Sequence, residues 1–112
     1  MSALYQSRAL AEAAAEKLKA YAQPQRLMIL SCLLGGERRV GEIEAATGIG
    51  QPTLSQQLAE LRRKALVRPR RQGTQIFYAL ADDETRNCVR NMEEMLGDSS
   101  HEPLRFVGDG IV

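Results

Sequence analysis

The 112-residue chain balances 15 lysines and arginines against 14 acids, for a formal net charge of +1, and is 44% hydrophobic and 26% charged. That is the make-up of one ordinary soluble domain with a modest core, and no apolar run approaches the roughly 20 residues a membrane span needs. Met1–Lys17 lacks the basic start and continuous apolar stretch of a secretory signal, so a cytoplasmic location is expected, where the two cysteines, Cys32 and Cys88, stay reduced by default.

In chain order, Leu10, Ala13, Ala14, Lys17, Leu18 and Tyr21 recur at helical spacing in an alanine-rich stretch, which predicts a first helix over residues 7–21. Pro24 suits the first turn of a second helix, whose stripe of Leu27, Leu30, Leu33 and Leu34 ends at Gly35-Gly36. Val40, Ile43 and Ala46 mark a short third helix closed by Gly48, Ile49 plugs the turn, and Gln51-Pro52 opens a fourth helix with Leu54, Leu58 and Leu61 on one face. Helix, tight glycine turn and helix make a helix-turn-helix unit. After Lys64 the period changes to two: residues 66–72, a Gly73-Thr74 turn and residues 75–80 predict a two-stranded hairpin, a wing, with Pro69 on an edge. Asp82, Asp83 and Glu84 sit where a helix dipole favours acids, and Val89, Met92, Met95 and Leu96 stripe a last helix. Beyond Gly97 no period remains. The reading is a mainly α protein with a small β-hairpin: one winged-helix domain over residues 7–97, and a tail over 98–112, ordered only if its Leu104, Phe106 and Ile111-Val112 find a surface.

The charge that net balance hides lies between Leu61 and Gln72, where Arg62, Arg63, Lys64, Arg68, Arg70 and Arg71 are six cations with no acid among them. A local field of that sign points to a polyanion, and a polar helix flanked by cations is the layout of a DNA reader. Gln51, Thr53, Ser55 and Gln56 are the candidates for base edges in the major groove, because their side chains both donate and accept. Arg62, Arg63 and Lys64 would meet phosphates beside the groove, while Arg70, Arg71 and Gln72 carry the wing to the neighbouring backbone or minor groove. With no Trp and few aromatics the core is thin, which favours a dimer, and a dimeric reader recognises an inverted repeat in double-stranded DNA. The rival function is a winged-helix module for protein contacts, against which the arginine-rich wing argues. Catalysis has the least support: there is no nucleophile constellation and no glycine-rich phosphate loop, and the single histidine, His101, lies in the tail.

Arg26-Leu-Met-Ile-Leu30, Val40-Gly-Glu-Ile43, Thr47-Gly-Ile-Gly-Gln-Pro-Thr-Leu-Ser-Gln-Gln-Leu58 and Arg70-Arg-Gln-Gly-Thr-Gln-Ile-Phe-Tyr-Ala-Leu80 resemble, in order and spacing over residues 10–97, the ArsR family of bacterial winged-helix repressors. Within it they are most similar to the subgroup of the biofilm growth-associated repressor, whose members sense sulfide or redox state. The resemblance implies an elongated homodimer with first and last helices packed across the two-fold axis, binding a promoter and released by an inducer. The metal-ligand sets of relatives are incomplete: Arg38–Ile43, taken as the helix entering the DNA-binding unit, has no thiol, and Asp82 and Glu84 lack imidazole partners, so no metal and no cofactor is expected. The subgroup's paired cysteines correspond to Ser31 and Gly97. Cys32 is displaced by one residue, about 100° around its helix, and Cys88 by more than two turns, which leaves two readings: structural thiols, or a shifted redox pair.

Overall fold

The computed structural model describes residues 2–98. A single 3-10 turn at Leu4–Gln6, closed by the Ala3 amide donating to Gln6 Oε1 (2.9 Å), precedes α1 (Arg8–Tyr21) and was not signalled by periodicity. Ser7 caps α1 by accepting from the Leu10 amide at 3.1 Å, which satisfies one of the helix's orphan donors. Then come α2 (Pro24–Leu33), β1 (Arg38–Arg39), α3 (Val40–Thr47), α4 (Thr53–Arg63), β2 (Val67–Gln72), β3 (Gln75–Leu80) and α5 (Asp83–Leu96). Asp82 caps α5 by accepting from the Thr85 amide at 2.8 Å, and that bond holds its carboxyl below the usual carboxylate range. The tail beyond Asp98, with His101, Leu104, Phe106 and Ile111-Val112, lies outside the described residues.

The core is aliphatic: Ile29, Leu30 and Leu33 of α2, Ile43 of α3, Leu54, Leu58 and Leu61 of α4, Leu66, Val67, Leu80 and Val89, with Tyr21 the one buried aromatic ring among the described residues. α1 contributes only its last turn, Ala20 and Tyr21. The rest of its stripe stands uncovered, with Leu10 42% and Leu18 58% exposed, as are Met95 (72%) and Leu96 (74%) at the end of α5. An ion pair from Lys17 to Glu84 (3.0 Å) links the two helices.

The turn between α3 and α4 is built by three residues. Gly48 takes a left-handed conformation (φ 77°), the Thr47 hydroxyl donates to the Ile43 carbonyl (2.7 Å) and accepts from the Ile49 amide (3.2 Å), and Ile49 is buried beneath. α4 begins at Thr53 rather than Gln51, with Pro52 as its N-cap residue, and Gln51 stands just before the helix with its Oε1 accepting from both the amide (3.1 Å) and the hydroxyl (2.8 Å) of Ser55.

The wing differs from the expected two-stranded hairpin. The sheet has three antiparallel strands in the order β1-β3-β2, with Arg38 opposite Tyr78 and Arg39 opposite Phe77, so that β3 is central, covered by β1 at those two residues, and β2, carrying Pro69, is an edge strand. Arg38-Arg39 is therefore strand and not the start of the helix that follows, which begins at Val40. Two charged residues carry no period-two signal; pairing with β3 alone makes them a strand.

α4 ends in a Schellman motif that has alanine where glycine is usual. The Leu66 amide donates to the Leu61 carbonyl and the Ala65 amide to Arg62 (both 2.9 Å), with Ala65 at φ 61° and Leu66 buried. A left-handed alanine is strained by about 1–2 kcal/mol, partly offset in glycine by its greater chain entropy. Ala65→Gly is accordingly expected to stabilise the domain by about 0.5–1 kcal/mol, seen as a higher denaturant midpoint at unchanged slope. A lower midpoint would show that the left-handed turn costs the alanine nothing.

Candidate nucleic-acid interface

With Leu54, Leu58 and Leu61 turned into the core, the opposite side of α4 presents Ser55 and Gln56 to solvent, with Gln51 exposed at its start and Thr53 half-buried. The expected readers thus gather at the start of the helix, with Thr53 and Ser55 on opposite flanks of Gln56. They are not equivalent in the unbound protein, since the Gln51 oxygen is engaged by Ser55 whereas the side chain of Gln56 makes no hydrogen bond within the described residues.

The six cations divide by environment. Arg62 and Lys64 at the end of α4 and Arg71 on β2 are exposed and form no ion pair among the described residues. Arg63 is engaged by Glu60 one turn back, and Arg68 donates to the Ala81 carbonyl at 2.8 Å. Arg70 is clamped: its Nη2 and Nε donate to the two carboxylate oxygens of Glu37 (2.7 and 2.9 Å), Nη1 donates to Gln72 Oε1 (2.8 Å), and the guanidinium lies 4.8 Å from the centre of the Phe77 ring. The Arg70 hydrogen bonds hold the Glu37 carboxyl below its usual range. Glu37, on the loop between α2 and β1, escaped the sequence reading because it is 33 residues from Arg70 and only the folded sheet brings them together.

The thiols lie elsewhere. Cys32 and Cys88 are half-buried and unbridged. Cys32 borders a surface hollow with Met28, Arg38 and Thr47, while Cys88 sits beside Tyr21, whose phenol is pushed well above its ordinary pKa, by burial first and by Cys88 second. Ser31 and Gly97, by contrast, meet in one cleft of about 170 Å³ between α2 and α5, where the Ser31 hydroxyl donates to Glu93. A Cβ added at Gly97 would fall 2.6 Å from the Glu93 carbonyl, so any larger residue there requires the last turn of α5 to shift. Among the described residues no three His, Cys, Asp or Glu side chains converge as a metal site, and no helix is long and apolar enough to cross a membrane.

A helix-turn-helix whose second helix bears a polar face, backed by a basic three-stranded sheet, defines a winged helix-turn-helix protein. Residues 23–68 match the family described as bacterial regulatory protein, arsR family. The crystal structure of the transcriptional repressor BigR from Xylella fastidiosa is 43% identical and superposes with a TM-score of 0.72 over 77% of this chain and 85% of that one. The chain belongs to the ArsR family. The biofilm growth-associated repressor of Agrobacterium fabrum is 50% identical over 72 residues, a stretch spanning 64% of this chain and 62% of that protein's length. A homodimeric winged helix-turn-helix DNA-binding domain from Mycobacterium bovis, described as a possible ArsR-family transcriptional regulator, is 33% identical with a TM-score of 0.69, over 84% of this chain and 87% of that one.

Proposed function

We propose that the protein is a cytoplasmic, non-catalytic transcriptional repressor that binds an inverted-repeat operator as a homodimer and leaves it when an inducer arrives. The observation that carries this reading is an uncommitted polar side chain, Gln56, on the outward face of α4, in a domain whose Arg62 and Lys64 at the end of the same helix and Arg71 on the wing are exposed and unpaired among the described residues. In this reading Gln51, Thr53, Ser55 and Gln56 face base edges, Arg62, Arg63 and Lys64 meet phosphates, and Arg70, Arg71 and Gln72 bring the wing to the flanking backbone. The uncovered apolar residues of α1 and the end of α5 form the dimer contact. BigR and the Mycobacterium domain, a repressor and a homodimer by their descriptions, support the assignment by similarity. Cys32 and Cys88 are assigned structural roles, each wedged half-buried against the core.

Selection of binding sites from random-sequence DNA tests the proposal. The expected product is an inverted repeat with half-site centres about 34–36 Å apart, or a multiple of that, bound with an affinity that falls steeply as salt rises. Binding without sequence preference, or a monomer at every concentration by sedimentation, would count for the protein-interaction module instead.

A further inference from the structure

Gln57, next to Gln56 in sequence, points about 100° away from it around α4 and is half-buried. Its side chain is held. Arg26 Nε donates to Gln57 Oε1 at 3.1 Å, and Gln57 Nε2 donates to Gln25 Oε1 at 3.4 Å. A guanidinium can only donate, which fixes the amide's orientation: oxygen toward Arg26, nitrogen toward Gln25.

Arg26 has a second bond, from Nη1 to the carbonyl of Ala20 at 3.2 Å. That carbonyl is among the last four of α1, which have no donor within the helix. Arg26 supplies a bond that the helix end leaves open, placing a cation at the negative end of α1 while its other arm grips α4. One side chain joins the helix offered to the dimer contact with the helix offered to DNA. The leucines beneath α4 hold it to the core, and the directional hydrogen bonds of Arg26 and Gln57 add a restraint on its flank that is specific for orientation.

We propose that Arg26 and Gln57 act as a brace that fixes the orientation of α4 relative to α1, so that both are positioning residues which set sequence discrimination without touching DNA. The inference rests on the DNA-reading function proposed above and deepens it. In a dimer, a small rotation of each reading helix relative to its dimerisation helix displaces every base contact together.

The test uses the duplex the parent protein selects from random-sequence DNA, a random duplex of equal length, and single base-pair variants of the selected duplex. Gln57→Ala and Arg26→Lys are each expected to reduce the ratio of selected to random affinity by about tenfold at unchanged folded fraction and salt slope, with the loss spread over many base pairs. The double variant should lose no more than the worse single one, and Gln57→Glu, which keeps an acceptor for Arg26, should restore the ratio. Gln56→Ala serves as the contrasting case, its loss confined to one base pair. If the Gln57→Ala loss falls at one base pair, if the two losses simply add, or if the ratio does not move, the brace is refuted. Should Arg26→Lys fail to fold, the Gln57→Ala and Gln57→Glu pair decides alone. A parent that selects no sequence refutes the reader and its brace together; a parent that selects normally while the variants behave like it refutes the brace only.

Discussion

Truncating Leu58 to alanine is expected to cost about 2–5 kcal/mol of folding free energy, the range for removing a large aliphatic side chain from a close-packed core. Leu58 is 1% exposed and lies between Leu54 and Leu61, neither of which leaves any surface to solvent. α4 has few other attachments: its outward face is polar, and the Arg26 and Gln25 contacts hold one flank. A domain of this size is stable by only about 5–15 kcal/mol, so the loss should lower the melting temperature by tens of degrees. Denaturation should be followed at several protein concentrations, since dimerisation adds to apparent stability. A loss below about 1 kcal/mol would mean that the underside of α4 relaxes into the gap, and that its leucines do not fix the helix.

The second large effect is expected at the wing. Replacing Arg70 and Arg71 with alanine should weaken binding to all DNA sequences by at least about tenfold at low salt and flatten the salt dependence. The size of the change in slope carries information. Arg71 is exposed, while Arg70 is already neutralised by Glu37. A fall of about one unit means that Arg70 stays on Glu37 in the complex, and about two units means that the clamp opens and both arginines reach phosphates. Glu37→Gln separates these cases, because freeing Arg70 should raise affinity by roughly a few-fold and steepen the slope. If the double variant keeps both affinity and slope, the wing does not touch DNA.

Most of the fold was legible because its punctuation is local. Ser7, Pro24, Gly48 and Asp82 mark helix ends through chemistry that needs no distant partner, and the three leucines of α4 name their own face. What escaped was set by pairing. β1 is a strand only because β3 lies beside it, and the end of α4 hid its signal by using Ala65 at a left-handed position. The site shows the same division. The turning of Ser55 and Gln56 away from the leucines and the placing of Arg70 and Arg71 on a hairpin follow from helical spacing and from a two-residue turn. The engagement of Arg70 by Glu37, of Gln51 by Ser55 and of Gln57 by Arg26 depends on which loops and helices meet. These pairings decide which side chains are free to act.

The bareness of α1 has a consequence for the lifetime of the protein. Only the final turn of this 14-residue helix is buried against its own chain, and an isolated helix of that length is marginal in water even when rich in alanine. A protomer without the proposed partner is therefore expected to fray along α1 and present an extended N-terminal segment of the kind proteases cut first. In the proposed dimer the same residues are covered. In that reading unpaired chains are the ones open to proteolysis and assembled ones are spared, which would couple the protein's abundance to its state of assembly.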